Sequence, residues 1–144
     1  MEKVVSFLAS RIIAGDEMDI LKDHAVNVSE GKILSISPSP LGDEVVDLEN
    51  SLLSPMFINA HCHLGDTGAK ELGTGLPLAQ VVNPPDGLKH KFLDKTDQEE
   101  LTQQMKHGLR EMLRNGIIAC ADFREQGLTG VKILKKSVFK CPIK

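Results

Sequence analysis

Short runs of alternating apolar and polar residues fill the N-terminal third of the chain. Four of these runs are rich in Val, Ile and Ser and predict short β-strands at residues 3–9, 11–14, 24–29 and 32–37. Glu30-Gly31 lies between the last two and predicts a tight hairpin turn in which Gly31 adopts a positive φ. With a further short strand at 44–48, the pattern is typical of a small β-sandwich-type domain over residues 1–54.

The hydrophobic pattern changes after Pro55. Residues 56–60 form a compact, mostly apolar run, which is typical of a strand buried on both faces, and this run leads directly into a His-Cys-His triplet. Residues 64–95 contain many Gly and Pro residues and predict a long loop with room for a short helix. The second part of the chain therefore has a different organisation from the first.

A helix, a strand and a second helix are predicted after this loop. The capping-box sequence at residues 96–99 begins with Thr96 and predicts the start of a helix that ends at Asn115-Gly116. Apolar side chains recur along it at spacings of three and four, at Leu101, Met105, Leu109, Met112 and Leu113. A second buried strand over 117–123 and a helix from Thr129 follow, and a third strand is predicted to begin within 139–144. This order is typical of a parallel α/β fold.

Composition and charge exclude several classes of protein. The chain has 144 residues, of which 41% are hydrophobic and 26% charged, as in ordinary globular proteins. A net charge of −3 and the absence of Trp and Tyr argue against a nucleic-acid partner. No apolar run approaches the roughly 18 residues of a membrane-spanning helix. Three cysteines without a CxxC spacing and the lack of a signal peptide predict a cytoplasmic protein.

His61 and His63 carry the main chemical signal. Residues two apart in a strand point to the same face, so we expect both imidazoles to project together while Cys62 faces the helices. The pair ends its strand, and α/β folds assemble active sites at the carboxyl ends of strands. Two neutral imidazoles side by side favour a divalent metal: zinc above all, with iron, manganese and nickel as alternatives.

A different interpretation of the pair is two exposed histidines in a turn that bind nothing. The buried strand before them and the Gly-rich loop after them favour the metal site instead. By the same two-residue period, Phe57 and Asn59 are predicted to share the face of the histidines and to fill the interior of the fold.

The stretch 53–66, LSPMFINAHCHLGD, closely resembles the first barrel strand of the amidohydrolase superfamily. Its members are metal-dependent hydrolases of the cyclic-amidase, deaminase and chlorohydrolase type. Residues 31–37 and 45–53 resemble the small β domain that leads into that strand, and residues 116–125, GIIACADFRE, are similar to the second barrel strand. Met56 departs from the pattern, because a Gly often follows the Pro at this point in the family.

The resemblance implies a (β/α)8 barrel with one or two metal ions at the strand ends. The family's other ligands come from later strands, as does the Asp that acts as general base. A whole barrel needs roughly 200–250 residues, so residues 55–144 have room for only the first two βα units. We therefore expect an α/β fold comprising an incomplete TIM-like barrel after the small β domain. The other histidines, at 24, 90 and 107, lie outside the strand ends.

These features predict the N-terminal portion of a longer metal-dependent amidohydrolase. Such an enzyme hydrolyses non-peptide C–N bonds of a small-molecule substrate with a metal-activated water. The alternative is a non-catalytic truncated barrel that serves as an assembly or weak metal-binding module, and an exposed strand edge favours self-association in either case.

Polar residues beside the strand ends are the candidates for substrate contact. Asp66, Arg124 and Glu125 are predicted to bind substrate, with Asp66 in the loop after the histidines and the other two after the second strand. Lys70 and Glu71 follow Asp66, and the alternative for all three is a polar surface rather than the lining of a pocket or its lid. The alternative for Arg124 and Glu125 is that they close the strand or pair with one another.

Overall fold

The computed structural model describes residues 3–144, which divide after Pro55 into two compact units. Residues 1 and 2 of the predicted β domain lie outside the described residues. The first unit contains five strands: β1 (Val5–Ala14), β2 (Asp19–Ser29), β3 (Lys32–Ser37), β4 (Glu44–Asp47) and β5 (Leu52–Leu53). They form one sheet of order β3-β2-β1-β4, and β5 also pairs with β1. The facing sheet that a sandwich requires remains a prediction.

The strands of this first sheet largely follow the predicted pattern. The β2–β3 hairpin turns at Glu30-Gly31 with φ values of 49° and 71°, as predicted. The prediction of two separate strands at 3–9 and 11–14 is wrong, because β1 is continuous and pairs along its length with β2. Strand β2 pairs antiparallel with both β1 and β3, and the short strands β4 and β5 pair with β1 in parallel.

A buried polar cluster and a small apolar core hold this sheet together. Asn27 is fully buried, accepts a hydrogen bond from Ser6 Oγ (2.7 Å) and donates to Ser35 and Ser37 Oγ (3.1 and 2.9 Å). These bonds satisfy an amide that would otherwise be costly to bury. The apolar core of the unit consists of Ala9, Ile12 and Val26 with partly buried neighbours.

The second unit begins with strand β6 (Phe57–Cys62) and a 3-10 helix (Leu64–Ala69). It continues through α1 (Leu78–Val82), α2 (Leu88–Lys95), α3 (Gln98–Arg114), β7 (Ile117–Asp122) and α4 (Gly127–Val138). Strands β6 and β7 pair in parallel, so their carboxyl ends lie together. The α/β class is thereby confirmed, and the segment predicted as a loop in fact holds three short helical elements. The backbone of Lys144 pairs with Ile118 and Cys120 of β7, where a third strand is predicted to begin.

The apolar face of α3 forms the core of the second unit. Leu101, Met105 and Leu109 are almost fully buried and contact Ile133 of α4 and Leu93 of α2. Cys62 and Cys120 pack against this core from the two strands, as predicted for small apolar residues beneath the helices. No helix among residues 3–144 is long and apolar enough to cross a membrane.

Two predictions about this unit are wrong. Asp97, not Thr96, caps α3 by accepting a hydrogen bond from Glu100 N (2.8 Å), because α2 extends to Lys95 and the Thr96 hydroxyl bonds back to Phe92 O. Strand β6 is not buried on both faces: Phe57 is 63% exposed, since the described residues supply only one partner strand. Phe57 therefore does not fill an interior.

We expect Leu109→Ala to lower the free energy of unfolding by about 2–5 kcal/mol, because it leaves a cavity in a closely packed core. Leu128→Ala is the matched control, since Leu128 lies on α4 with 81% of its surface exposed and should change stability by less than about 0.5 kcal/mol. Urea denaturation followed by circular dichroism measures both. Equal losses in the two variants would contradict the assignment of the core.

Candidate metal centre

The two histidines lie where the carboxyl end of β6 meets that of β7. His61 belongs to β6 and His63 follows it directly. Their Nε2 atoms are 3.3 Å apart, which confirms that the two rings project together. Two imidazole nitrogens that bind one tetrahedral zinc ion at about 2.0–2.1 Å lie roughly 3.3–3.4 Å apart. The pair therefore has the spacing that a shared metal ion requires.

The two imidazoles are candidate metal ligands that lie side by side. Among residues 3–144, no group of three or more His, Cys, Asp and Glu side chains is arranged to hold a metal ion. Catalytic zinc usually has three protein ligands and a water. The assignment of His61 and His63 as metal ligands remains a prediction that fits their geometry.

The Phe123 ring stacks on the His61 ring. The two rings stack with centroids 4.1 Å apart and planes inclined by 20°. The backbone N–H of Phe123 also donates to Cys62 O (2.8 Å), which joins the ends of the two strands. The aromatic ring is therefore held beside the imidazole by the sheet itself.

The Nδ1 atom of His63 has three polar neighbours. Glu125 Oε1 lies at 2.8 Å, the backbone oxygen of Phe123 at 3.1 Å and Lys89 Nζ at 3.1 Å. Two of these neighbours are hydrogen-bond acceptors and one is a donor. The ring is thus held from the side opposite to the atom that faces His61.

Ion pairs connect this ring to three different elements. Lys89, in the first turn of α2, contacts Glu125 and lies 3.1 Å from Asp66 Oδ2 in the 3-10 helix. Arg124 donates to Glu125 Oε2 (2.8 Å) and lies 3.3 Å from Asp122 Oδ2. These side chains are largely buried, so the charges interact more strongly than they would in water.

Burial and hydrogen bonding act in opposite directions on the charged groups. Burial alone raises the pKa of Glu125, but hydrogen bonds from Lys89 and Arg124 outweigh it and lower that pKa to about 2. Burial likewise lowers the pKa of Lys89, and its bonds to Glu125 and Asp66 more than reverse the effect. Both groups therefore carry their charges at neutral pH.

The predicted substrate-binding residues gather at this site. Asp66, Arg124 and Glu125 all belong to the ion-pair cluster beside His63, and their contact with a substrate stays a prediction. Glu71, by contrast, is exposed. Lys89 is missing from the sequence-based candidates, because it lies in a segment whose composition indicated a loop and no local motif marks it.

A cavity of about 490 Å³ opens beside the cluster. Its polar lining includes His63, Asp66, Lys70 and Lys89, and its apolar lining comes from α1, α2 and α3. One carboxylate oxygen of Asp66, Oδ1, is buried and has no hydrogen-bond partner among the described residues.

Comparison with known proteins gives one family and several relatives. The amidohydrolase family model matches residues 52–144. An uncharacterized protein of Methanocaldococcus jannaschii is 34% identical over 96% of this chain, and imidazolonepropionase of Fusobacterium nucleatum is 30% identical over 68%. The chain spans only 36% and 25% of their respective lengths.

A solved structure supports the fold. The zinc-bound adenosine deaminase of Xanthomonas campestris superimposes with a TM-score of 0.70 at 22% identity, over 92% of this chain and 31% of that protein. Similarity of this kind extends across both units of the chain and fits part of a TIM-barrel-type fold.

We expect Gly65→Ala to disturb the ion-pair cluster, because a Cβ at Gly65 would overlap the guanidinium of Arg124. The Arg124 side chain is buried and forms ion pairs with Asp122 and Glu125, so moving it aside would weaken these pairs. The free energy of unfolding should therefore fall by about 1–3 kcal/mol. Gly68→Ala in the same 3-10 helix is the control, since its Cβ would meet only the flexible end of Gln104. Urea denaturation compares the two, and a similar effect at both positions would refute the constraint at Gly65.

Proposed function

The chain belongs to the amidohydrolase family, and we propose that it forms part of a metal-dependent hydrolase acting on non-peptide C–N bonds. His61 and His63 are two ligands of the metal, for which zinc is the best candidate. The 3.3 Å separation of their Nε2 atoms is the observation that carries this proposal. The zinc-bound deaminase with the same fold supports the choice of metal.

The metal would lower the pKa of a bound water towards neutrality and so supply a hydroxide for attack on the substrate carbon. The role of this chain is to hold that ion with two neutral imidazoles at the strand ends. The remaining ligands and the Asp that transfers the proton are proposed to lie on later strands of a longer polypeptide, consistent with relatives about three times the length of this chain.

A small-molecule substrate is proposed to bind in the cavity beside His63. Asp66 has the best support among the three candidate residues, because it lines this cavity, whereas Arg124 and Glu125 do not. Arg124 and Glu125 bind each other and their neighbours, so their contact with substrate is less direct. The three cysteines are free thiols, which supports a reducing cytoplasm as the location.

One observation favours a second function. Two ligands alone hold a metal weakly, and Ile58, near the start of β6, is 70% exposed. These features fit a non-catalytic module that binds metal loosely and associates through the uncovered sheet. Metal affinity and hydrolysis separate the two functions.

The 144-residue chain should bind zinc weakly and should retain less than one zinc ion per chain after dialysis. His61→Ala and His63→Ala should each abolish the binding measured by titration calorimetry, because either change leaves a single imidazole. His107→Ala, at an exposed position on α3, should leave it unchanged. Tight, stoichiometric binding that survives the loss of His61 or His63 would contradict the proposed ligands.

Hydrolysis is best tested in the natural gene product that contains this sequence. Ammonia release from amino-substituted heterocycles and ring opening of cyclic amides should stop on chelation and return with zinc. His63→Ala should lower kcat/KM by more than roughly 100-fold, a loss larger than that typical of groups that only support a ligand. Full activity without metal would exclude the enzyme we propose, and zinc binding without any hydrolysis would favour the module.

A further inference from the structure

The tautomer of His63 decides whether this residue can bind a metal. A neutral imidazole carries one proton, on either Nδ1 or Nε2, and only the nitrogen without a proton has a lone pair to donate. Nε2 of His63 faces Nε2 of His61. The ring can therefore act as a ligand at this position only when its proton is on Nδ1.

The neighbours of Nδ1 favour a proton there. Glu125 Oε1 and the Phe123 carbonyl both accept hydrogen bonds, at 2.8 and 3.1 Å. Lys89 is the opposing neighbour, since its ammonium at 3.1 Å could donate to an unprotonated Nδ1. However, Lys89 already has two carboxylates to donate to, in Glu125 and Asp66. The carboxylate of Glu125 is thus the stronger influence on the ring.

We propose that Glu125 is a positioning residue, which holds the His63 proton on Nδ1 and thereby presents Nε2 as a metal ligand. Lys89 and Arg124 hold Glu125 in place, one on each carboxylate oxygen. Carboxylates that accept the second N–H of a ligating histidine orient the ring and increase its basicity. The role assigned to the metal rests on the proposed function, but the tautomer does not.

Contacts of Lys89 and Gln126 connect the surroundings of His63 to helix α2. Lys89 lies in the first turn of α2, and Gln126 Nε2 donates to Leu93 O (2.9 Å) in the same helix. The side chain of Leu93 is buried in the core of the unit. Glu125 is therefore held between its own segment after β7 and helix α2.

The loss of the Glu125 carboxylate should move the ring proton of His63 from Nδ1 to Nε2, rather than leave a mixture of the two tautomers. In Glu125→Gln the charge that attracts both the Nδ1 proton and Lys89 is gone. Lys89 then has one carboxylate fewer and lies within reach of Nδ1, so it should donate to that atom and move the ring proton to Nε2. Removing the ammonium as well, in Glu125→Gln with Lys89→Met, should return the proton to Nδ1, because the Phe123 carbonyl remains as an acceptor.

Nitrogen-15 NMR of the metal-free chain tests this directly, at a pH well above the ordinary histidine pKa of about 6.5. The Nδ1–H form should predominate at His63 in the unaltered chain, the Nε2–H form in Glu125→Gln, and the Nδ1–H form again in the double variant. Glu71→Gln, at an exposed position, is the control for loss of a negative charge and should leave the ring unchanged. The proposal would be overturned if His63 has the Nε2–H form in the unaltered chain, or if Glu125→Gln leaves its tautomer unchanged.

Zinc affinity, measured by competition with a chelator, provides the second readout. Glu125→Gln should weaken binding by about 10–100-fold. The double variant should recover part of that loss, whereas Lys91→Met on the exposed side of α2 should have no effect. Circular dichroism verifies that each variant folds. If Glu125→Gln does not fold, Lys89→Met is the substitute: it keeps the Glu125 carboxylate and should therefore keep the Nδ1–H form of His63, and an Nε2–H ring in that variant would overturn the proposal.

The two proposals fail in different ways. If the unaltered chain shows the Nδ1–H form and responds to Glu125→Gln but binds no zinc, the proposed function is wrong and the positioning role of Glu125 stands. If zinc binds through both histidines while Glu125→Gln changes neither the tautomer of His63 nor the zinc affinity, the positioning role is wrong and the metal site stands.

Discussion

The parallel pairing of β6 with β7 is the constraint on which the candidate site depends. The backbone hydrogen bond from Phe123 to Cys62 brings together two segments that are 61 residues apart in the sequence. It places the Phe123 ring on one face of His61 and the Phe123 carbonyl beside His63. The alternation of side chains along β6 then directs both imidazoles to the same side. Neither histidine would have a fixed orientation without this pairing.

Buried charge is the second feature of the site, and its balance favours a cation. Lys89 and Arg124 face three carboxylates, those of Asp66, Asp122 and Glu125, so the ionised cluster carries one excess negative charge. Isolated charges of this kind are expensive to remove from water, and only close pairing and hydrogen bonds offset the cost. A divalent ion held by the adjacent imidazoles would meet a negative field.

The sequence predicts correctly those elements whose structure depends on residues that are adjacent in the chain. The hairpin at Gly31 and the helix whose apolar face contains Leu109 were both predicted, because turn chemistry and helical periodicity are properties of a few consecutive residues. The cap of α3 was misassigned, since Thr96 and Asp97 are both good capping residues. The choice between them depends on where the preceding helix ends.

The site was only partly predictable for a related reason. His61 and His63 are two residues apart, so their common direction follows from strand geometry alone. The contact between Lys89 and Glu125 joins residues 36 positions apart and depends on how α2 packs, which no local pattern specifies. The exposure of Phe57 has the same origin: an apolar run shows that a strand can be buried, whereas its burial depends on the neighbours present among the described residues.

The position of Glu125 also limits what the site can bind unaided. Glu125 contacts Nδ1 of His63, and Nδ1 and Nε2 of an imidazole point away from each other. A carboxylate that holds Nδ1 therefore cannot reach an ion on Nε2 of the same ring. Its charge acts through the ring, and it cannot replace a missing third ligand. If His61 and His63 bind a metal as proposed, tight binding requires a donor from outside this cluster.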